Sequence, residues 1–205
     1  MSGAKGGGSS KMTAAELMAL KAERLRTDPP YRAQVEAVEA ERRARVDELR
    51  IAEQPIVEDL RNAGVEVSSV WDLVNTAHPY PKALPVLLNH LQRGGYPDRV
   101  MESLGRALAV RPSASVWETL RRLYLAAEGS GEEEGLAVAL AASATVDCLD
   151  QLIALLDETS RGSTRIHFLR PIKRVGGNRG LKVLASLRTD PMFGKEVRAI
   201  LKSRD

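Results

Sequence analysis

The chain has 205 residues, 43% hydrophobic and 28% charged, with a formal net charge of +3. It is long enough to bury a core of one or two domains, and its composition is that of a soluble globular protein. No apolar run approaches the ~18 to 20 residues a membrane span needs, so a membrane partner is not expected. One cysteine, Cys148, excludes an internal disulfide and points to a reduced, cytoplasmic setting. Free cysteine usually packs as a small hydrophobe, and Cys148 sits in what reads as the opening turn of a helix.

Residues 1–11 are rich in Gly and Ser without an apolar stretch, which argues against a secretory signal. They read as a disordered tail or expression remnant, with Met12 as a natural start. Thr13 with Glu16 forms a capping box for a helix over residues 13–26 that carries Leu17, Leu20 and Leu25. Asp28-Pro29-Pro30 breaks the chain, and a second helix is expected from about Pro30 to Ala52. Its apolar stripe, Tyr31, Val35, Val38, Val46 and Leu49, is narrow among interleaved Glu and Arg. Such a face suits either a solvated helix laid against the body or a coiled-coil seam. Pro55 is expected to interrupt or kink it, with Ile56 to Asn62 resuming and Gly64 closing. A short helix over Val70 to Asn75 comes next, then the rigid linker His78-Pro79-Tyr80-Pro81. This divides the chain into a tail (1–11), an N-terminal helical cap or arm (12–77) and a repeat array (78–205).

The array rests on a spacing. Apolar helical blocks end at Leu91, Leu123, Leu156 and Leu187, at intervals of 32, 33 and 31 residues, each followed by a loop and a second apolar block. That is the mark of stacked helical hairpins. Four are expected: Pro81–Gln92 with Pro97–Val110, Ser113–Ala127 with Glu132–Ser143, Val146–Asp157 with Ser163–Val175, and Asn178–Arg188 with Phe193–Lys202. Leu, Val and Ala recur at three- and four-residue steps, so one stripe of each helix faces a common core. No alternating Val/Ile/Thr run suggests a sheet. The fold class expected is all-α, a superhelical array of about four helical hairpins preceded by N-terminal amphipathic helices.

Blocks such as ALPVLLNHL and LDQLIALLD, a loop with Gly, Asp or Pro, and second helices that open with Arg (Asp98-Arg99-Val100, Thr164-Arg165-Ile166) resemble a HEAT-like, armadillo-type array of the short bacterial kind. The resemblance covers about Tyr80 to Lys202. It departs from the family in its period, below the ~40 to 47 residues of eukaryotic HEAT and armadillo repeats, and in Glu132-Glu133-Glu134 where an Arg is expected. Tetratricopeptide repeats share a period of ~34 residues, but their Trp, Leu-Gly, Tyr and Pro pattern is not reproduced.

Recognisable site chemistry is sparse. His78, His90 and His167 have no zinc-ligand spacing, and His90 and His167 read as partly buried polar edges. The stretch Arg174-Val175-Gly176-Gly177-Asn178-Arg179-Gly180 lacks the spacing of a dinucleotide or phosphate loop and reads as a helix end and a tight turn, although its amides with Arg174 and Arg179 could hold an anion. Trp71 and Trp117 are interface anchors or core residues, with Trp117 in the stripe of Leu120 and Tyr124. No catalytic residue, cofactor or metal ligand is therefore expected.

The strongest functional signal is charge. Residues 161–205 carry twelve Lys and Arg against three Asp and Glu, whereas residues 1–160 carry eighteen against twenty-four. Arg165, Arg170, Lys173, Arg174, Arg179 and Lys182 are expected to form a binding surface for an acidic protein partner or a phosphate backbone. Pairing of these cations with the acidic remainder, within one chain or between copies, is the plainer alternative. The chain thus reads as a non-enzymatic scaffold that binds a protein partner. The alternative is a nucleic-acid-binding protein, conceivably resembling HEAT-like DNA glycosylases, with Trp117 and Glu118 as the only local echo.

Overall fold

The computed structural model describes residues 12–203; the expected tail 1–11 and Arg204 lie outside them. The described residues contain ten α-helices and no strand. They are α1 (Ala14–Thr27), α2 (Pro29–Asn62), α3 (Trp71–Val74), α4 (Ala83–Arg93), α5 (Asp98–Ala107), α6 (Trp117–Ala126), α7 (Ser130–Ser143), α8 (Leu149–Ala154), α9 (Leu169–Ser186) and α10 (Gly194–Lys202). Turns of 3-10 helix lie at Arg111–Val116, Val146–Cys148, Leu155–Asp157 and Thr159–Phe168. No helix is long and apolar enough to cross a membrane.

Two compact units are present, residues 1–48 and 49–205. In the first, α1 starts from the expected capping box: Thr13 N–H donates to Glu16 Oε2 (2.7 Å), and Glu16 N–H donates back to Thr13 Oγ1 (3.3 Å). Asp28 accepts from the Tyr31 amide (3.0 Å) at the start of α2. No residue of α1 is buried. Pro55 does not interrupt α2, which is one helix from Pro29 to Asn62. The carbonyl of Ile51, which proline deprives of a donor, sits on an exposed residue where water can serve it.

The second unit has one core. It begins with Ile56, Val57 and Leu60 of α2 and with Val67, Val70 and Leu73, so residues 49–77 share the core of this unit. The periodicity predicts Leu87, Leu91, Leu104, Leu108, Leu123, Leu140, Leu152, Leu156, Leu169, Leu184 and Leu187 at core positions; nine of these are buried, and Leu123 and Leu187 are half-buried against the same core. Packing runs in chain order: α4 on α5, α6 on α7, α7 against Thr159–Phe168 and α9, and α9 on α10.

The most extensive helix-to-helix contact in the unit is between α5 and α7. A Cβ placed on Gly105 would lie 2.5 Å from the carbonyl carbon of Gly135, and one on Gly135 would lie 2.5 Å from the Glu102 carbonyl oxygen. These helices touch backbone to backbone, which only glycine permits. They run in the same direction, because Asp98 at the start of α5 accepts hydrogen bonds from the Gly131 (2.8 Å) and Glu132 (2.9 Å) amides at the start of α7. That carboxylate satisfies two orphan donors and complements the helix dipole.

At the Gly-rich stretch the backbone of α9 breaks at Gly177 (φ 49°, ψ −138°), the tight turn expected there. Trp117 is buried, and its indole N–H donates to the Leu140 carbonyl (3.1 Å). Tyr124 is fully buried, edge-on to Phe168, with its hydroxyl 2.8 Å from Thr164 Oγ1.

Gly105→Ala should destabilise the fold by about 2 kcal/mol or more, because backbone rather than a movable side chain meets the new methyl. Gly176→Ala, whose Cβ would meet only side chains, the nearest being Leu149 Cδ1 at 3.2 Å, should cost far less. Urea melts of the two variants side by side check this, and equal midpoints would exclude the backbone contact.

Burial pushes the Tyr124 phenol up to about 12 from its ordinary 10.0. Between those values the unfolded chain releases its proton while the folded chain keeps it, so stability falls as pH rises through this window. Tyr124→Phe should therefore lose less stability than the parent between pH 9 and about 12 in urea melts.

Candidate functional site

The six cations expected to form one surface have separate fates. Arg165 is buried, 7% exposed, and is not part of any surface. Its guanidinium donates to the Leu156 and Gly162 carbonyls and to Met192 Sδ, and stacks 5.3 Å from the Phe193 ring centroid. A charge held this way satisfies the carbonyls where Leu155–Asp157 ends. Arg174 reaches back to the last carbonyls of α7, Ala141 (2.9 Å) and Ala144 (3.3 Å). Arg170 pairs with Glu196 (2.8 Å), Lys173 donates to the Ser203 carbonyl (2.9 Å), and Arg179 pairs with Asp150. Lys182 is exposed. Arg161 likewise donates to the Leu125 (2.9 Å) and Ala127 (2.7 Å) carbonyls at the end of α6. Arginine at a helix C-terminus meets unpaired carbonyls and the negative end of the dipole at once.

Acidic α7 receives more of this charge. Glu134 accepts from Arg106 of α5 (3.2 Å) and lies 2.9 Å from His167 Nε2. Glu133 accepts from Thr164 Oγ1 (2.5 Å) and faces Arg161 (3.5 Å). The glutamates that depart from the HEAT-like pattern thus tie α7 to the elements on either side. His90 is fully buried, rather than at a partly buried edge, with Nε2 2.9 Å from Asp59 and Nδ1 2.6 Å from the Tyr96 hydroxyl.

The second unit also carries a concavity lined mainly by apolar residues. It lies along the His78-Pro79-Tyr80-Pro81 linker and has a volume of about 730 Å³. Leu73 and Val74 of α3, Leu84 of α4, Val110, Pro112 and Val138 of α7 line it, together with Thr76, His78 and Arg106. The linker holds its course because Tyr80 donates its hydroxyl to the Ala107 carbonyl (2.9 Å), and its partial burial raises the phenol pKa. A second cavity of about 370 Å³ shares Pro81, Leu84 and Pro112 with the first and is also lined by Ser113. The reading of residues 78–81 as a connector missed this cleft; the density of prolines, which keeps a segment from folding onto its neighbours, was its signal.

Trp117 and Glu118 do not form a paired site: the indole is in the core, and Glu118 accepts from Arg121 (2.7 Å), which holds its carboxyl below the usual range. Cys148 is buried, with its amide-side partner Thr145 N–H donating to Sγ (3.1 Å). No cluster of His, Cys, Asp and Glu suited to a metal occurs among the described residues. In the first unit, Leu17, Met18 and Leu20 of α1 and Val38 and Val46 of α2 are exposed. Comparison with protein-family models, curated proteins and solved structures finds no match for this chain.

Arg165→Met should lower the unfolding free energy by about 2 to 3 kcal/mol, since it leaves buried carbonyls unpaired. Lys182→Ala should change it by less than about 0.5 kcal/mol. A urea titration of both variants separates an internal brace from a surface charge.

Proposed function

We propose that the protein is a non-enzymatic interaction module. Its second unit is read as a HEAT-like array of helical hairpins, and its N-terminal helices are the arm that engages a protein partner. The observation that carries this reading is α1: fourteen residues of helix with no residue buried, bearing Leu17, Met18 and Leu20 at more than half exposure. A helix of this length is marginal in water on its own and draws its stability from packing an apolar face. Exposed leucines at positions three apart suit insertion into a partner's groove or alignment with a partner helix. Val38 and Val46 extend apolar surface along α2 in the same unit.

The array reading draws on the packing order of the second unit, in which α5 and α7, the second members of successive expected hairpins, lie side by side and parallel. The nucleic-acid alternative keeps Arg170, Arg174, Arg179 and Lys182, which are exposed, as its support and loses only the buried Arg165.

The test is retention of host proteins on the immobilised full chain, with and without nuclease, against the double variant Leu17→Glu, Leu20→Glu. The parent should retain a protein that the variant loses by about tenfold or more, with the melt of the second unit unchanged because α1 contributes no buried residue. Equal retention by both would remove the arm from the reading. Material released only by nuclease would replace the protein partner with nucleic acid.

A further inference from the structure

The long helix α2 carries a symmetric pattern. On an α-helical surface Val35, Val38, Arg42, Val46 and Leu49 fall within about 40° of one line. Val38 and Val46 are exposed to 46% and 63%, and Val35 and Leu49 are half-buried. The steps between the five, three, four, four and three residues, read the same from either end, with Arg42 at the centre. A stripe of that symmetry matches itself when an identical helix is laid on it antiparallel about a two-fold axis through Arg42. Val35 then lies level with Leu49 of the other copy, and Val38 with Val46.

Charge decides the direction. Glu39 and Arg43 lie on one flank of the stripe, Glu41 and Arg45 on the other, and all four are exposed. In an antiparallel pair each flank faces the same flank of the other helix, so Glu39 meets Arg43 and Glu41 meets Arg45, with Gln34 opposite Glu48 farther out. A parallel pair faces unlike flanks, which sets Glu39 beside Glu41 and Arg43 beside Arg45. Within one helix Glu41 already pairs with Arg45 (3.3 Å), but both side chains are 73% exposed, which leaves each room for a second partner.

We propose that the stripe centred on Arg42 is the contact by which two copies of this chain pair antiparallel. The two Arg42 side chains meet at the axis, where their apolar stems cover the valines and their like charges keep the pair weak and reversible. This rests on the reading of the N-terminal helices as an interaction arm, and gives α2 a second copy as its partner beside the one sought by α1.

Sedimentation of the full chain at concentrations up to about 0.1 mM should show a reversible dimer. Glu39→Arg, Glu41→Arg makes both flanks basic, and Arg43→Glu, Arg45→Glu makes both acidic. Each double variant alone should pair about tenfold or more weakly, and the two mixed should recover the dimer, which a damaged helix would not do. Arg42→Leu should tighten the pair about tenfold or more by removing the like charges at the axis. Cys148, the one cysteine, is buried, so introduced thiols report the direction. Val38→Cys mixed with Val46→Cys should form a linked dimer under mild oxidation, and Val38→Cys alone should not. A parent that stays monomeric, a mixture that does not recover, no tightening in Arg42→Leu, or linkage of Val38→Cys to itself in preference to Val46→Cys would each overturn the proposal. Leu17→Glu, Leu20→Glu should leave the dimer intact, so the two readings fail separately: a monomeric parent that still retains a host protein removes this proposal alone, and a dimer that retains none removes the host-partner reading alone.

Discussion

The second unit depends on the backbone contact between α5 and α7. Where Gly105 meets Gly135, the helices approach more closely than any side chain allows, and Asp98 fixes their register by closing the start of α7. Close approach brings many main-chain atoms within van der Waals range and makes the pair rigid, each small attraction adding to a large sum. Helix α7 in turn positions its neighbours. Its carbonyl at Leu140 receives the Trp117 indole, its glutamates 133 and 134 receive Thr164 and His167, and its final carbonyls receive Arg174.

That arrangement explains the uneven distribution of charge along the sequence. An array of short helices exposes many C-terminal carbonyls at its loops, each set carrying partial negative charge. Arg161 serves α6, Arg174 serves α7, Arg165 serves the turn at Leu156, and Arg198 donates to the Arg188 carbonyl beyond α9 (2.7 Å). In these four cases the donor lies later in the chain than the carbonyl it meets, so part of the C-terminal excess of cations is the capping chemistry of preceding elements.

These relations mark the limit of what the sequence disclosed. Helix positions and the buried leucines were legible because apolar periodicity is written locally, and the capping box at Thr13 and Glu16 needs residues only three apart. The contact of Gly105 with Gly135 was not, since a glycine inside a helical pattern reads as a weak point until its neighbour across the interface is known. Arginine is similarly ambiguous: the same side chain caps a helix, pairs with a carboxylate or waits for a phosphate, and composition does not distinguish them. His90 shows the same limit, its two partners being Asp59, thirty-one residues away, and Tyr96 across a Gly-rich turn.

The linker at residues 78–81 shows how a connector keeps a space open. Proline removes the amides that would draw the segment into helix or against a neighbouring strand, and the Tyr80 bond to Ala107 holds it at a fixed distance from the end of α5. The space beneath is therefore not closed by collapse, as an apolar gap between flexible elements would be. What lines this space is prolines and aliphatic groups together with Thr76, His78 and Arg106, the last already bonded to Glu102 and Glu134. A cavity preserved in this way is a standing feature of the fold, set by the rigidity of the prolines and the single tether at Tyr80 rather than by the packing of side chains across it.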